Sequence, residues 1–173
     1  MDFTRSLVES ERLRMVPVSP VYREDIFREF TDEITVFMAP PTPKDISETD
    51  AFIKKARQEM QEGIDATFVI TKKDTGEFIG CCGVHKVNTP TPEFGIWTKK
   101  SSHGNKYGRE AMEAAKKWAD EHLQYDYIRY PVAKENTASR KVAESLGGVV
   151  ARELTGKTGR GTLMEQVEYH IPR

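Results

Sequence analysis

Between Ser101 and Met112 the chain reads Ser-Ser-His-Gly-Asn-Lys-Tyr-Gly-Arg-Glu-Ala-Met, a glycine-bearing loop running straight into an amphipathic helix. These residue types suit the holding of an anion. The first N–H groups of a helix lack intrahelical partners and sit at the positive end of its dipole, so they offer both donors and charge to a phosphate. Gly104 and Gly108 let the backbone approach a ligand with no Cβ in the way. Lys99, Lys100, Lys106 and Arg109 form a local basic patch, better matched to a small phosphorylated ligand than to a duplex. The same residues also read as an ordinary helix start with two permissive glycines. A nucleotide P-loop is disfavoured, because the run from Gly104 to Gly108 lacks the Gly-Lys-Ser/Thr that holds phosphate and Mg²⁺.

A second polar group opens a helix downstream, Asn136-Thr137-Ala138-Ser139, and that helix ends at Leu146-Gly147. Asn is among the best N-cap residues and a serine in the first turn is ordinary, so a cap and a ligand contact are compatible here. Glu93 starts a strand directly after Pro92 and reads either as a proton acceptor or as a solvated strand-end charge. His85 and His170 fall on predicted strands and His122 near a helix end, and all three read as structural. Cys81 and Cys82 are adjacent, so they cannot build a disulfide framework, and a strand would send one to each face. No Cys/His pair has metal spacing, so no metal is expected.

The elements that position these groups follow from periodicity. Glu11 to Val18 alternates as a first strand, and Val21 to Phe30 places Ile26, Phe27 and Phe30 on one helical face. Thr35 to Pro43, with Pro40, Pro41 and Pro43, is a stiff non-helical connection. Ser47-Glu48-Thr49-Asp50 resembles a capping box, followed by a buried stripe of Phe52, Ile53, Ala56 and Met60. Strands are then expected at Ala66 to Thr71, Phe78 to Val87 and Glu93 to Trp97. The helix from Gly108 carries Ala111, Met112, Ala115, Trp118, Ala119 and Leu123 on one face. Tyr127 to Val132 is a short strand, and the tail holds strands near Gly148 to Leu154 and Leu163 to Ile171 around a mobile loop, Thr155 to Gly161. This order predicts an α+β fold: a mixed, mostly antiparallel sheet of six to seven strands flanked by about four helices, in a single domain over residues 1–173.

The 173 residues carry a formal net charge of −1 with 31% charged side chains, so nothing drives the chain toward nucleic acid or an anionic membrane. No apolar run approaches the ~20 residues of a membrane span, and the start lacks a secretory apolar region. The expectation is a soluble cytoplasmic protein, monomeric or a homodimer.

Together with Ser10-Glu11-Arg12-Leu13-Arg14-Met15 and Glu93-Phe94-Gly95-Ile96-Trp97, these motifs resemble the GNAT acyltransferases. The likeness is nearest to the branch of ribosomal-protein N-terminal acetyltransferases and spermidine acetyltransferases, and it runs through nearly the whole chain in order. It implies a GNAT-like enzyme that uses acetyl-CoA as co-substrate, without metal. Such an enzyme moves the acetyl group to a primary amine (a protein N-terminus, a polyamine or another small amine) by direct attack in a ternary complex. The resemblance assigns the pyrophosphate to backbone N–H groups of His103, Gly104, Asn105, Lys106, Tyr107 and Gly108, with Arg109 at the same loop. It assigns the pantetheine arm to Ile96, Trp97, Thr98 and Asn136, the amine proton to Glu93, and the proton for the leaving thiolate to Ser139. The chain departs from the family's pattern at His103, where Gln or Arg is usual, and at Lys106, where Gly is usual. It departs again at Ala143, where many members carry a tyrosine acid, and at Gly148, where an aromatic is usual. Lys at 106 bears on geometry, since Lys tolerates a positive φ much less well than Gly. The acceptor is expected at the segments Thr35 to Pro43 and Thr155 to Gly161, with Asp32, Glu33 and Asp45 pointing to a cation. The alternative is a non-catalytic module binding a CoA ester or a partner on the same fold.

Overall fold

Ala-Thr-Phe-Val-Ile-Thr from Ala66 to Thr71 buries every side chain, so this strand must lie inside a sheet covered on both faces. The computed structural model describes residues 1–173 and shows that sheet. Its strands are β1 (Val8–Glu9), β2 (Leu13–Pro17), β3 (Ala66–Lys72), β4 (Phe78–His85), β5 (Glu93–Thr98), β6 (Tyr127–Ala133), β7 (Val149–Lys157) and β8 (Leu163–Pro172). The helices are α1 (Arg23–Glu29), α2 (Ile46–Glu62), α3 (Tyr107–His122) and α4 (Thr137–Ser145). Spatial order is β1-β2-β3-β4-β5-β6-β8-β7. Every neighbour is antiparallel except β5 and β6, which run parallel around the α3 crossover. The architecture is thus the mixed, mostly antiparallel α+β sheet with four helices that periodicity predicts. The eighth strand, Val8–Glu9, is too short to leave an alternating pattern and is defined only by its pairing with Met15 and Arg14.

The two faces carry different helices. On α3 the expected stripe Ala111, Met112, Ala115, Trp118, Ala119 is buried, and its alanines let the helix lie close to the strands. Trp118 meets Phe68 of β3 edge-on at 5.3 Å and Phe3 at 5.4 Å, which sets α3 on the Phe68 face. Trp97 of β5 meets Phe30, at the end of α1, at 4.9 Å and Phe78 at 5.8 Å on the opposite face. No helix is long and apolar enough to cross a membrane.

Three local expectations are corrected. The cap of α2 is Asp45, not Ser47: its extended backbone (φ −139°, ψ 148°) lets Oδ1 accept the Ser47 N–H at 2.8 Å, so the helix begins at Ile46. Phe52 is 42% exposed rather than part of the buried stripe. The strand β7 runs on to Lys157, so the expected loop from Thr155 shrinks to a turn. Gly156 pairs with Met164 and Lys157 with Leu163 there. An edge strand exposed on both faces has no apolar alternation to announce it.

At the far side of the sheet Glu168 of β8 is 1% exposed and accepts from Arg129 Nε (3.0 Å), Arg152 Nε (3.1 Å) and His170 Nε2 (3.0 Å). Burial alone would raise its pKa, but the hydrogen bonds from Arg129, Arg152 and His170 bring it down to about 2. The folded state therefore binds this proton less readily than the unfolded chain. The resulting stability is present above the ordinary carboxylate pKa and is lost as pH falls toward 2. Glu168→Gln should destabilise the protein by roughly 3–5 kcal/mol at pH 7, because two arginines lose their buried partner. In urea denaturation, the gap from the native protein should narrow steadily between pH 5 and pH 2; a constant gap would show that the cluster does not titrate.

Candidate active site

The loop before α3 is built to keep its amides open. Lys106 takes the left-handed conformation (φ 62°, ψ 17°) at the N-cap, the position where Gly would be free of strain. None of the six backbone N–H groups from Gly104 to Arg109 has an acceptor in the protein, and the first helical bond runs from Glu110 N–H to Lys106 O. The loop is braced from outside. Glu110 accepts from Ser10 Oγ (2.6 Å), Arg12 N–H (2.8 Å) and Arg12 Nε (2.7 Å), while Arg12 Nη2 donates to Asn105 O at 3.0 Å. Burial would raise the Glu110 pKa, but the hydrogen bonds from Ser10 and Arg12 hold it below the ordinary range. The Arg12 guanidinium also lies 4.6 Å over the Tyr107 ring. His103 Nε2 bonds Thr98 O at 3.0 Å, tying the loop to the end of β5. A Cβ on Gly108 would sit 3.8 Å from Ile96 and 3.9 Å from Thr98, so the helix start rests directly on that strand.

Beside this loop the sheet parts. Strands β5 and β6 pair only at Glu93 and Arg129, with Arg129 N–H bonded to Pro92 O at 2.8 Å. Beyond that point a cavity of about 520 Å³ opens. Glu93, Ile96, Trp97, Asn136 and Ser139 line it together; Thr98 and the His103 to Arg109 loop lie outside the lining, at the α3 end. Asn136 is the α4 cap, its Oδ1 accepting the Ser139 N–H at 3.1 Å. Ser139 Oγ is 2.8 Å from the hydroxyl of Tyr130, a β6 residue also in the cavity wall. Burial pushes the Tyr130 phenol up to about 12, against the opposing effect of the Ser139 bond. In sequence Tyr130 is one more aromatic on a short strand, and its only signal is that a buried phenol requires a partner.

The opposite wall differs from expectation. Glu93 Oε2 stands 3.3 Å from Arg129 Nη1 and 3.7 Å from Lys86 Nζ, so its charge is already matched by cations. His85, read above as structural, lines the cavity and bonds Asp65. Cys81 and Cys82 are both buried and both reach the lining; burial raises both thiols, Cys82 to about 12. Thr49 Oγ1 of α2 is buried at the same wall with no hydrogen-bond partner, an orphaned polar atom of the kind a ligand satisfies. No group of three or more His, Cys, Asp or Glu is placed to hold a metal ion.

The cavity's roof comes from Phe37, Met38, Pro40, Pro41 and Pro43, and the β7–β8 turn docks on it. Gly159 N–H donates to Met38 O at 3.0 Å, and Arg160 reaches Asp32 at its carbonyl (2.9 Å) and Oδ1 (3.0 Å). The turn is therefore anchored, not mobile. Asp32 is paired with Arg160, Glu33 with Lys100 at 2.5 Å, and Asp45 caps α2, so all three acids expected to attract a cation are engaged elsewhere.

A family model described as an acetyltransferase (GNAT) domain matches residues 12–149. Among solved structures, RimJ from Mycobacterium smegmatis in complex with CoA-disulfide superposes with a TM-score of 0.86 at 20% identity, covering 96% of this chain and 87% of that one. RimL, a ribosomal L7/L12 alpha-N-protein acetyltransferase in complex with coenzyme A, gives 0.86 at 13% identity over 96% and 98%. The microcin C7 self-immunity acetyltransferase MccE, in complex with acetyl-CoA and AMP, gives 0.83 at 16% over 94% and 93%. At these identities the likeness is one of fold. Among curated proteins, none matches this chain by sequence.

The docking of the turn is open to a direct check. A Cβ on Gly159 would meet the Pro41 backbone at 2.3 Å, so Gly159→Ala must lift the turn off the roof. Hydrogen exchange should then quicken across residues 35–43 while β3 and β4 stay protected; unchanged exchange in that segment would show that the roof stands without the turn.

Proposed function

The chain belongs to the GNAT acetyltransferase family, and on that premise we propose that it transfers the acetyl group of acetyl-CoA to a primary amine. The observation that carries this reading is the run of six unpartnered N–H groups from Gly104 to Arg109, resting on the strand that lines the cavity. An N–H cradle at a helix start fits a pyrophosphate, and the adjoining Lys106 and Arg109 add positive charge. In this assignment Gly104, Asn105, Lys106, Tyr107 and Gly108, with Arg109, hold the pyrophosphate; His103, expected from the sequence to share in this, has its own N–H engaged by Lys100 O at 3.1 Å and braces the loop instead. Ile96, Trp97, Thr98 and Asn136 flank the pantetheine arm. Acetyl-CoA supplies the activated acyl group as a thioester.

The chain's own residues then manage protons. Between ammonium and amide the acceptor nitrogen gives up two protons; one ends on the CoA thiol and one must leave through a base. Ser139 is the donor to the sulfur, and Tyr130, whose phenol stays protonated near neutrality, stands behind it to restore the serine proton. The acceptor enters under the roof. Its wall is mostly apolar, with the Thr49 hydroxyl as its one buried orphaned polar atom; Glu93 is paired with cations, and Glu48 is the single lining acid without an ion pair. This favours an acceptor with one ammonium on an apolar or compact body, such as a protein N-terminus or a small monoamine, over a polyamine. RimL, by its name, acts on a protein N-terminus, which supports the first of these. The pairing of Ser139 with Tyr130 favours an enzyme over a module that only binds CoA.

Two measurements test the proposal, alongside thiol release from acetyl-CoA across a panel of N-terminal peptides, monoamines and spermidine. Acetyl-CoA at about a hundred times its Kd should add ~2.7 kcal/mol of stability and raise the Tm by roughly 5–10 °C. Gly108→Val should cut that shift by crowding the cradle against Ile96 and Thr98, and equal shifts would move the cofactor elsewhere. Ser139→Ala should lower kcat by roughly ten- to a thousandfold with the CoA-induced shift retained. An unchanged kcat would leave Ser139 as a helix residue only.

A further inference from the structure

His85 ends β4 directly across the register from Glu93, and its ring lies over the next pair on that face, Gly83 and Gly95. A Cβ on Gly83 would stand 2.6 Å from His85 Nε2, and one on Gly95 3.3 Å from it. The imidazole thus fills space that two side chains would otherwise take. Its Nδ1 is 2.7 Å from Asp65 Oδ2, and the other oxygen, Oδ1, accepts the Lys86 N–H at 2.7 Å, so the carboxylate is fixed in orientation. A carboxylate only accepts, so Nδ1 carries the proton and the lone pair of the neutral ring sits on Nε2. That nitrogen has no hydrogen-bond partner in the protein, and the residue belongs to the cavity wall.

We infer that His85 takes the proton from the acceptor amine, with Asp65 positioning it; this rests on the acetyl-transfer reading above. Burial would raise the Asp65 pKa, yet the bonds from His85 and the Lys86 N–H keep it below the ordinary range, so it meets an imidazolium as an anion. Glu93 is the poorer acceptor. Protonating it would break ion pairs to Arg129 and Lys86, whereas protonating His85 completes one with Asp65. In the step, an N–H bond of the ammonium breaks and its proton bonds to Nε2. The electron pair stays on the amine nitrogen, and the ring, 40% exposed, returns the proton to water. The other charged groups facing this dyad are Lys86, Glu93 and Arg129 from the sheet and Lys55 and Glu48 from α2.

The test uses the panel amine turned over fastest, with kcat/KM followed from pH 5 to 10 and acetyl-CoA binding checked by thermal shift. His85→Gln should lose roughly a hundred- to ten-thousandfold in kcat with its thermal shift kept, and should lose the lower inflection of the profile. Asp65→Asn, whose amide can donate to Nδ1 and impose the other tautomer, should fall comparably, and it serves as the second variant should His85→Gln fold poorly. Glu93→Gln should keep the lower inflection whatever its rate. A folded His85→Gln with wild-type kcat and profile, or the inflection lost in Glu93→Gln instead, overturns the dyad alone. A native protein that neither binds acetyl-CoA nor releases CoA with any amine overturns the transfer reading, and the dyad with it.

Discussion

The molecule depends on one place where the sheet nearly comes apart. Two parallel strands that could pair along their length meet at a single register position, Glu93 with Arg129. That contact is held firmly, by a backbone bond from Arg129 to Pro92 and by a guanidinium shared between Glu93 and Glu168. Beyond it the inner edges of β5 and β6 face open space instead of each other. Unpaired backbone groups away from water are costly, so the gap is tolerated only where something polar can enter. The buried ion cluster is thus the pivot from which the cavity opens, with β6 and α4 on one side and β3, β4 and α2 on the other.

Those sides carry different hydrogen-bonded pairs. The hydroxyl pair of Ser139 and Tyr130 belongs to β6 and α4, and the imidazole–carboxylate pair of His85 and Asp65 to the β3–β4 side. Both residues of the first pair line the cavity, whereas in the second His85 lines it and Asp65 holds the ring. All four side chains come from regular elements or the residues flanking them, which limits positional freedom more than flexible loops would. The thiols between them stay protonated through burial and add bulk without nucleophilicity.

Much of this was legible in the sequence where the signal is local or periodic. The face of α3 from Ala111 to Ala119 is buried as its spacing predicts, because a helix on a sheet shows its contacts every three or four residues. The loop before it, and Asn136 with Ser139, stood out because helix starts have a restricted chemistry. What stayed hidden depends on distant partners. Glu93 reads from sequence as either a proton acceptor or a solvated charge, and its ion pair escapes both readings because Arg129 lies on another strand. Asp32 and Glu33 looked like a cation site because Arg160 and Lys100 are remote in sequence. The place of His85 in the cavity wall stayed hidden because the space left by Gly83 and Gly95 appears only when β4 and β5 are laid side by side. Asp45 outcompeted Ser47 because two good caps stood within one turn and backbone geometry chose between them.

The hydrogen bond from Gly159 to Met38 joins segments over a hundred residues apart into a single covering for the cavity. Shape under this covering is therefore a joint property of two stretches of chain, not of either one. Proteins that diverge from this one toward other ligands must change both stretches in step. An engineer who transplants residues 35–43 alone should inherit a misfitting seam rather than a new preference. The unit of exchange on this scaffold is the pair, and covariation between the two segments is the trace that such a history would leave.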